Sequence, residues 1–253
     1  MAGTLNLQNR FWLKTISLVL FILIWQLASS WADPELLPSP AQVAISIHEH
    51  ILSGDLVSSV GITLARVGVS FVFAMALGIA VGVSMGRSEN WNTALDGLLI
   101  LSLNLPALVV IILCYLWFGL GEFAAVLAVS VNKFPIVVVT MREGAKAVDR
   151  DLLQVSEAFK VSPQRTFFQV YLPQLYPYLL ASARSGLALV WKIVLVVELL
   201  GRSNGVGFKL GVFFQFFDIT SILAYSFAFI LVVMAIELFV ISPLERHFTE
   251  WRE

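Results

Sequence analysis

Six long apolar stretches, at approximately 12–31, 63–86, 94–117, 121–141, 176–200 and 220–242, alternate with short segments that hold most of the charge. A helix rises about 1.5 Å per residue, so about 20 apolar residues cross the roughly 30 Å hydrocarbon core of a bilayer. Each stretch therefore predicts a membrane-spanning helix. Backbone amides find no water in lipid, so the helices satisfy their own hydrogen bonds and pack as an all-α bundle. Composition agrees: 58% of the 253 residues are hydrophobic and 13% charged, with a mean hydropathy of +0.87. Soluble domains run at about 45–50% and about 25%.

The first stretch admits a second reading. Arg10 and Lys14, an apolar core and Ala28-Ser29-Ser30 resemble a cleaved signal peptide. The apolar run continues through Trp25, Leu27 and Trp31 without a clean small-x-small site, which favours a retained anchor. Arg10 and Lys14 precede span one, Arg87 follows span two, Arg142, Lys146, Arg150, Lys160 and Arg165 follow span four, and Arg246 and Arg252 close the chain. Residues 15–65 contain no Lys or Arg but carry Asp33, Glu35, Glu49 and Asp55. The positive-inside rule then puts both termini and the 142–175 loop in the cytoplasm, with Arg202 and Lys209 as exceptions on the outer side.

Two segments carry more than hydropathy. Ser70, Ala74, Gly78, Gly82 and Gly86 recur every four residues, a small-residue face that lets another helix backbone approach closely. Between Met141 and Pro173 about 30 residues build a helical elbow where a connector needs far fewer. Asp151 is placed to cap a short helix in which Leu152, Val155 and Phe159 share a face, with Glu157 and Lys160 elsewhere. Ser162-Pro163 restarts a helix through Phe167, Phe168 and Tyr171, and Leu172-Pro173 is expected to end it. Read without any resemblance, the elbow also fits an amphipathic helix lying on the membrane with Phe167 and Phe168 among the headgroups.

The segment DLLQVSEAFKVSPQRTFFQVYLP (151–173) resembles the cytoplasmic EAA loop of ABC-importer permeases. Val170, Leu172 and Pro173 match its closing I-x-L-P. Gln154, Val155 and Ser156 stand where that family has E-A-A, and Lys160 where it has glycine. LLPSPAQV (36–43), TLARVGVSFVFAMALGIAVGVSMGRS (63–88), CYLWFGLGE (114–122), SARSGLALVW (182–191), VVELLGRSNGVGF (196–208) and the terminal SPLERHFTEWRE are similar to the nitrate/sulfonate/taurine/bicarbonate branch. The resemblance implies a type I importer transmembrane domain over residues 1–253, with an N-terminal span at 12–31, core spans over 63–242 and the coupling loop at 142–175. It implies a bacterial inner-membrane location, a second permease copy, two ATP-binding-cassette ATPase subunits and an extracytoplasmic solute-binding protein as partners. ATP and Mg would then be bound by the ATPase and no cofactor by this chain. The coupling surface would comprise Leu152, Val155, Phe159, Lys160, Pro163, Leu172 and Pro173.

Lys133, Arg184, Lys192, Glu198 and Glu237 fall within predicted spans, where charge costs about 2.5–3.5 kcal/mol and usually faces a cavity or a partner. Arg184 and Glu198 match residue types common in that permease branch, which implies a shared structural or gating role. Lys133 and Lys192 either line a path and attract an anion, or snorkel or pair with Glu198 or Glu237. Asn104 and Pro106, with Trp117 and Phe118 near the span's outer end, shape the path or form a packing kink.

Other chemistries find little support. There is no phosphate-binding glycine loop with Lys-Ser/Thr and no H-E-x-x-H, so ATP hydrolysis is expected in another polypeptide. Cys114 stands alone in an apolar run, as a small buried hydrophobe. His48-Glu49-His50 is expected as a solvated face rather than a metal site. All three histidines, including His247, lie outside the spans, which argues against an intramembrane enzyme. No basic nucleic-acid footprint is present. An ion-gradient-driven secondary transporter remains the alternative, but it predicts paired internal repeats that are not found.

Overall fold

The computed structural model describes residues 7–243, excepting the side chains of residues 7–11 and of Lys14. Arg246, His247, Arg252 and all but Ser242 and Pro243 of the terminal segment therefore lie outside the described residues, as do the side chains of Arg10 and Lys14. Among the described residues every regular element is helical: α1 (Leu7–Trp31), α2 (Pro40–Leu52), α3 (Asp55–Arg87), α4 (Glu89–Asn104), α5 (Ala107–Phe118), α6 (Glu122–Lys146), α7 (Arg150–Ala158), α8 (Pro163–Thr166), α9 (Leu172–Gly201), α10 (Val206–Gln215) and α11 (Ile219–Ile236). π-Helical turns follow α8 and α11, at Phe167–Tyr171 and Glu237–Ile241.

Four of these runs are long and apolar enough to cross a bilayer: Asp55–Arg87, Glu122–Lys146, Pro163–Gly201 and Ile219–Ile241. The expected continuous span at 94–117 is instead two helices, α4 and α5, bent by 98°. The break is local chemistry. Pro106 restricts Leu105 to extended backbone (φ −70, ψ 125), and the Asn104 side-chain amide donates back to the Ile100 carbonyl at 2.8 Å, closing α4. α1 offers a shorter apolar stretch, Thr15–Trp31. Trp25 ties it to the rest of the molecule, donating its indole N–H to the Pro38 carbonyl at 3.0 Å and stacking on Phe227 with ring centroids 5.2 Å apart.

α3, α6 and α9 form the centre. The small-residue face of α3 meets α6 of the same chain, running parallel to it. A Cβ at Gly82 would lie 2.6 Å from the Val138 carbonyl oxygen, and one at Gly86 2.7 Å from that of Arg142. Ser70, Ala74, Gly78 and Gly82 are all buried. Further along, the Ser130 hydroxyl is 3.2 Å from the Ser70 carbonyl. α9 closes the other side of α6, and Val190, Val194 and Val197 are fully buried there with Ala124, Ala128 and Val129.

Candidate functional site

The elbow is built on α7. Asp149, not Asp151, caps it: its carboxylate accepts from the amides of Asp151 at 2.8 Å and Leu152 at 3.5 Å. Both are aspartates two residues apart, and the cap falls to the one with extended backbone (φ −67, ψ 114), the conformation an N-cap requires. Ser156 is buried and Leu153 packs on a cluster containing Met141, Val148, Tyr171 and Leu175. Leu152, Val155 and Phe159 share the opposite face, at 48%, 52% and 78% exposure, and none of them joins a core cluster among the described residues.

The helix ends in a Schellman turn. Lys160 N–H donates to the Glu157 carbonyl and Val161 N–H to that of Ser156, both at 2.9 Å, with Lys160 in the left-handed region at φ 51. The lysine thus adopts the conformation for which the family position carries glycine. A side chain there costs about 1–2 kcal/mol, of which glycine's greater chain entropy returns about 0.5–1. Lys160→Gly should therefore stabilise the elbow by about 0.5–1 kcal/mol, seen as roughly two- to fivefold slower amide hydrogen exchange over 150–161.

Ser162-Pro163 starts α8 as expected. Leu172-Pro173 does not end a helix. The chain widens through the π-turn Phe167–Tyr171, where Leu172 N–H reaches back to the Phe167 carbonyl, and runs straight into α9. The wider turn accommodates the proline ring, which would crowd the carbonyl four residues earlier in a regular helix. Arg87 sits 5.3 Å over the Tyr171 ring, and Gln174 accepts from Asp149 N–H at 2.8 Å. Pro163 is exposed, while Leu172 and Pro173 are half-buried. The elbow is thus mounted rigidly on α3, α6 and α9.

At the opposite end of the bundle lies a charge cluster. Glu198 is fully buried and Arg66 is 5% exposed. Arg66 Nη1 lies 2.7 Å from Glu198 Oε1, while Nη2 and Nε make a bidentate pair with Glu122 at 2.6 and 2.8 Å. The Thr63 hydroxyl sits 2.9 Å from both Glu198 oxygens and accepts from Val206 N–H, and Gly207 N–H donates to Glu198 at 2.8 Å. Arg66 also donates to the Asn204 carbonyl and side-chain oxygen. Arg202 pairs with Glu122 at 2.6 Å and donates to the Leu120 carbonyl. Arg66 is the functional candidate that sequence reasoning missed. The signal was present, since the apolar run 63–86 contains a single charge and Glu198 needed a partner. Arg202 and Lys209, the two expected exceptions to the charge rule, are both paired, Arg202 with Glu122 and Lys209 with Asp55 at 3.4 Å.

The other intramembrane charges separate. Lys133 is fully buried between α6 and α9, its ammonium donating to the Ser182 carbonyl at 3.0 Å in space left by Gly186. It reaches no surface of the chain and pairs with neither Glu198 nor Glu237. Glu237 pairs with Arg184 at 3.3 Å. Lys192 is exposed, on a stripe of α9 that also presents Ala181, Arg184, Ser185, Ala188, Val196 and Leu199. Asn104 is exposed at the α4–α5 bend, away from the charge cluster. Cys114 is buried. His50 is engaged with Ser221, at 3.1 Å, and packs on Tyr225, while His48 is exposed.

Comparison with known proteins bears on both features. Residues 74–244 match the family model of the binding-protein-dependent transport system inner membrane component. The putative aliphatic sulfonates transport permease SsuC of Bacillus subtilis is 30% identical over 95% of this chain and 88% of its own length. The taurine transport system permease TauC of Escherichia coli is 26% identical over 92% and 86%, and the nitrate import permease NrtB of Synechocystis 28% over 76% and 73%. Among solved structures, an inward-facing MetNI methionine ABC transporter contains a chain of the same fold, with a TM-score of 0.66 at 18% identity, covering 78% of this chain and 97% of that one. An all-helical bundle, a rigid elbow after α6 and a match over most of its length agree: the chain belongs to the family of binding-protein-dependent transport system inner membrane components, the membrane-spanning permease subunits of ABC importers.

Proposed function

We propose that the chain, as one permease domain, pairs with a second copy of itself to form the path for a small anionic solute. The solute is delivered by an extracytoplasmic binding protein and driven by two ATPase subunits that hold ATP and Mg and carry out hydrolysis. In this reading both termini and the elbow are cytoplasmic, in a bacterial inner membrane. The observation that carries it is the α7 face of Leu152, Val155 and Phe159, apolar and uncovered, on a mount continuous with α9. An apolar helix face seats in a groove of a partner, and movement of that partner is passed along α9 without slack. Lys160 and Pro163 set the angle at which the face is offered, and Leu172 and Pro173 secure its root.

The path itself is assigned to the exposed stripe of α9. A charge on the outside of a spanning helix is expensive against lipid and inexpensive against a hydrated path. Lys192, with no ion pair among the described residues, offers positive potential beside the small Ala188, and Arg184 lies two turns nearer the elbow. Lys133 of α6 supports this helix from behind, Glu198 ties its far end to Arg66 of α3, and Asn104 acts through the α4–α5 bend. The names of the relatives, sulfonate, taurine and nitrate permeases, support an anionic cargo.

Co-purification with the cognate ATPase tests the docking role. Phe159→Asp places a charge at the exposed apolar C-cap of α7 and should reduce the recovered ATPase at least tenfold while leaving the permease folded, as a buried interface charge implies. Undiminished ATPase with the mutant would remove α7 as the docking surface.

A further inference from the structure

The charge cluster has two unequal arms. Glu198 is fully buried and fixed by Arg66, Thr63 and the Gly207 amide, so detaching it would strand a carboxylate in a low-dielectric interior. Glu122 is 55% exposed, and it pairs with two guanidinium groups, those of Arg66 and Arg202. Water can rehydrate this carboxylate when it leaves, and the buried Arg66 keeps Glu198 and the Asn204 carbonyl as partners, so this arm opens at lower cost than the other. The two arms also serve different contacts. Arg66–Glu198 joins α3 to α9, whereas Arg66–Glu122 joins α3 to the first residue of α6.

α3 and α6 are not held evenly along their length. Towards the elbow they interlock through Gly78, Gly82 and Gly86, too close to separate without loss of dense packing. At the other end Ala124, Ala125 and Ala128 of α6 are buried in the apolar core and the bidentate Glu122 pair is the polar tie, one turn of α3 and two of α6 beyond the Ser70–Ser130 crossing. The backbone entering α6 is permissive: Gly119 has φ 76, and a Cβ at either Gly119 or Gly121 would meet nothing within 4 Å.

We propose that Arg66 is a positioning residue for transport and that Glu122 is its releasable arm. The Glu198 arm keeps α3, α9 and the 202–207 loop as one body. The Glu122 arm opens and recloses as the outer end of α6 parts from that body during the transport cycle. The inference rests on the permease reading. Its failure is distinguishable, because a failed permease reading shows as absent ATPase association, and a failed latch as a labelling rate that does not respond.

The test uses the full importer in nanodiscs, with Cys114→Ser and a reporter at Val126→Cys. Position 126 lies one turn from Glu122 and one from Ser130, on the face of α6 towards α3. The probe is the uncharged thiol reagent N-ethylmaleimide, whose own approach is not steered by salt or by the two arginines. Glu122→Gln should raise its labelling rate about three- to tenfold, the factor expected for loss of two pairs to an exposed carboxylate. Raising NaCl from about 0.05 M to about 1 M should raise the rate when Glu122 is present and leave the Glu122→Gln rate unchanged, because screening acts on the pair alone. Trapping with ATP and vanadate should raise the wild-type rate towards the mutant's. A rate insensitive to salt and to Glu122→Gln, or unchanged by trapping, overturns the proposal. The salt series needs no substitution at 122 and so stands if that variant does not fold.

Discussion

Arg66→Met destabilises the folded chain by about 3–5 kcal/mol, the range for removing one partner of a buried ion pair. The substitution keeps the apolar stem of the side chain and removes its charged head. Glu198, fully buried, is left with the Thr63 hydroxyl and the Gly207 amide as partners, and its charge is no longer balanced. Glu122 is freed at the same time but is half in water and loses little. The loss is therefore assigned almost wholly to one carboxylate, which makes a sharp test. The double variant Arg66→Met/Glu198→Gln retains an acceptor for Thr63 and Gly207 while removing the stranded charge, so it should be more stable than Arg66→Met alone. Thermal unfolding in nanodiscs measures both. If the double variant were worse than the single by the full cost of Glu198→Gln alone, the two residues would be acting independently and the ion pair would not be the stabilising unit.

The second large effect is a contrast between two identical changes in one helix. Gly82→Ala should destabilise the chain by about 1–3 kcal/mol, whereas Gly68→Ala should stabilise it by about 0.5–1 kcal/mol. Both glycines lie in α3, and in both cases alanine is the better helix former. At Gly82 the new methyl falls 2.6 Å from the Val138 carbonyl oxygen and 2.8 Å from Met141 Cβ, so the backbones of α3 and α6 must part. At Gly68 it meets nothing within 4 Å. Packing gained by close backbone approach is the force available between helices in lipid, and it falls steeply with separation. Opposite signs in the thermal midpoints of the two variants check this, and a common sign would remove the α3–α6 interlock as a source of stability.

These two cases mark where the amino-acid sequence was informative. The four-residue recurrence of small residues from Ser70 to Gly86 was legible because helical periodicity is local, but its partner α6 was not, since nothing near residue 82 refers to residue 138. The elbow was legible as an amphipathic helix followed by Ser162-Pro163. The choice between Asp149 and Asp151 as its cap was not, because it rests on backbone torsion at one residue. Pro106 reads as shaping a path or as a kink within one span, and Pro173 as a helix end. One did break a helix and the other did not, because the chain before Pro173 had a spare residue to place in a π-turn and the chain before Pro106 ended in a capped α4. Arg66 escaped notice because its partners lie 56 and 132 residues away along the chain. Lys133 and Lys192 looked equivalent as intramembrane lysines, and only tertiary structure places one inside the α6–α9 interface and the other on the surface.

The π-turn at Phe167–Tyr171 has a consequence of phase. An α-helix advances about 100° per residue, so a turn that accommodates one additional residue offsets everything before it by that angle relative to everything after it. The elbow and α9 are therefore clocked against each other by a single residue. Removing one residue between Phe167 and Tyr171 would leave each helix and each side chain intact, yet would swing the Leu152–Val155–Phe159 face about a quarter turn away from the direction α9 now gives it. Helix length in this stretch thus carries directional information, and the chain can tolerate a substitution there far better than a deletion.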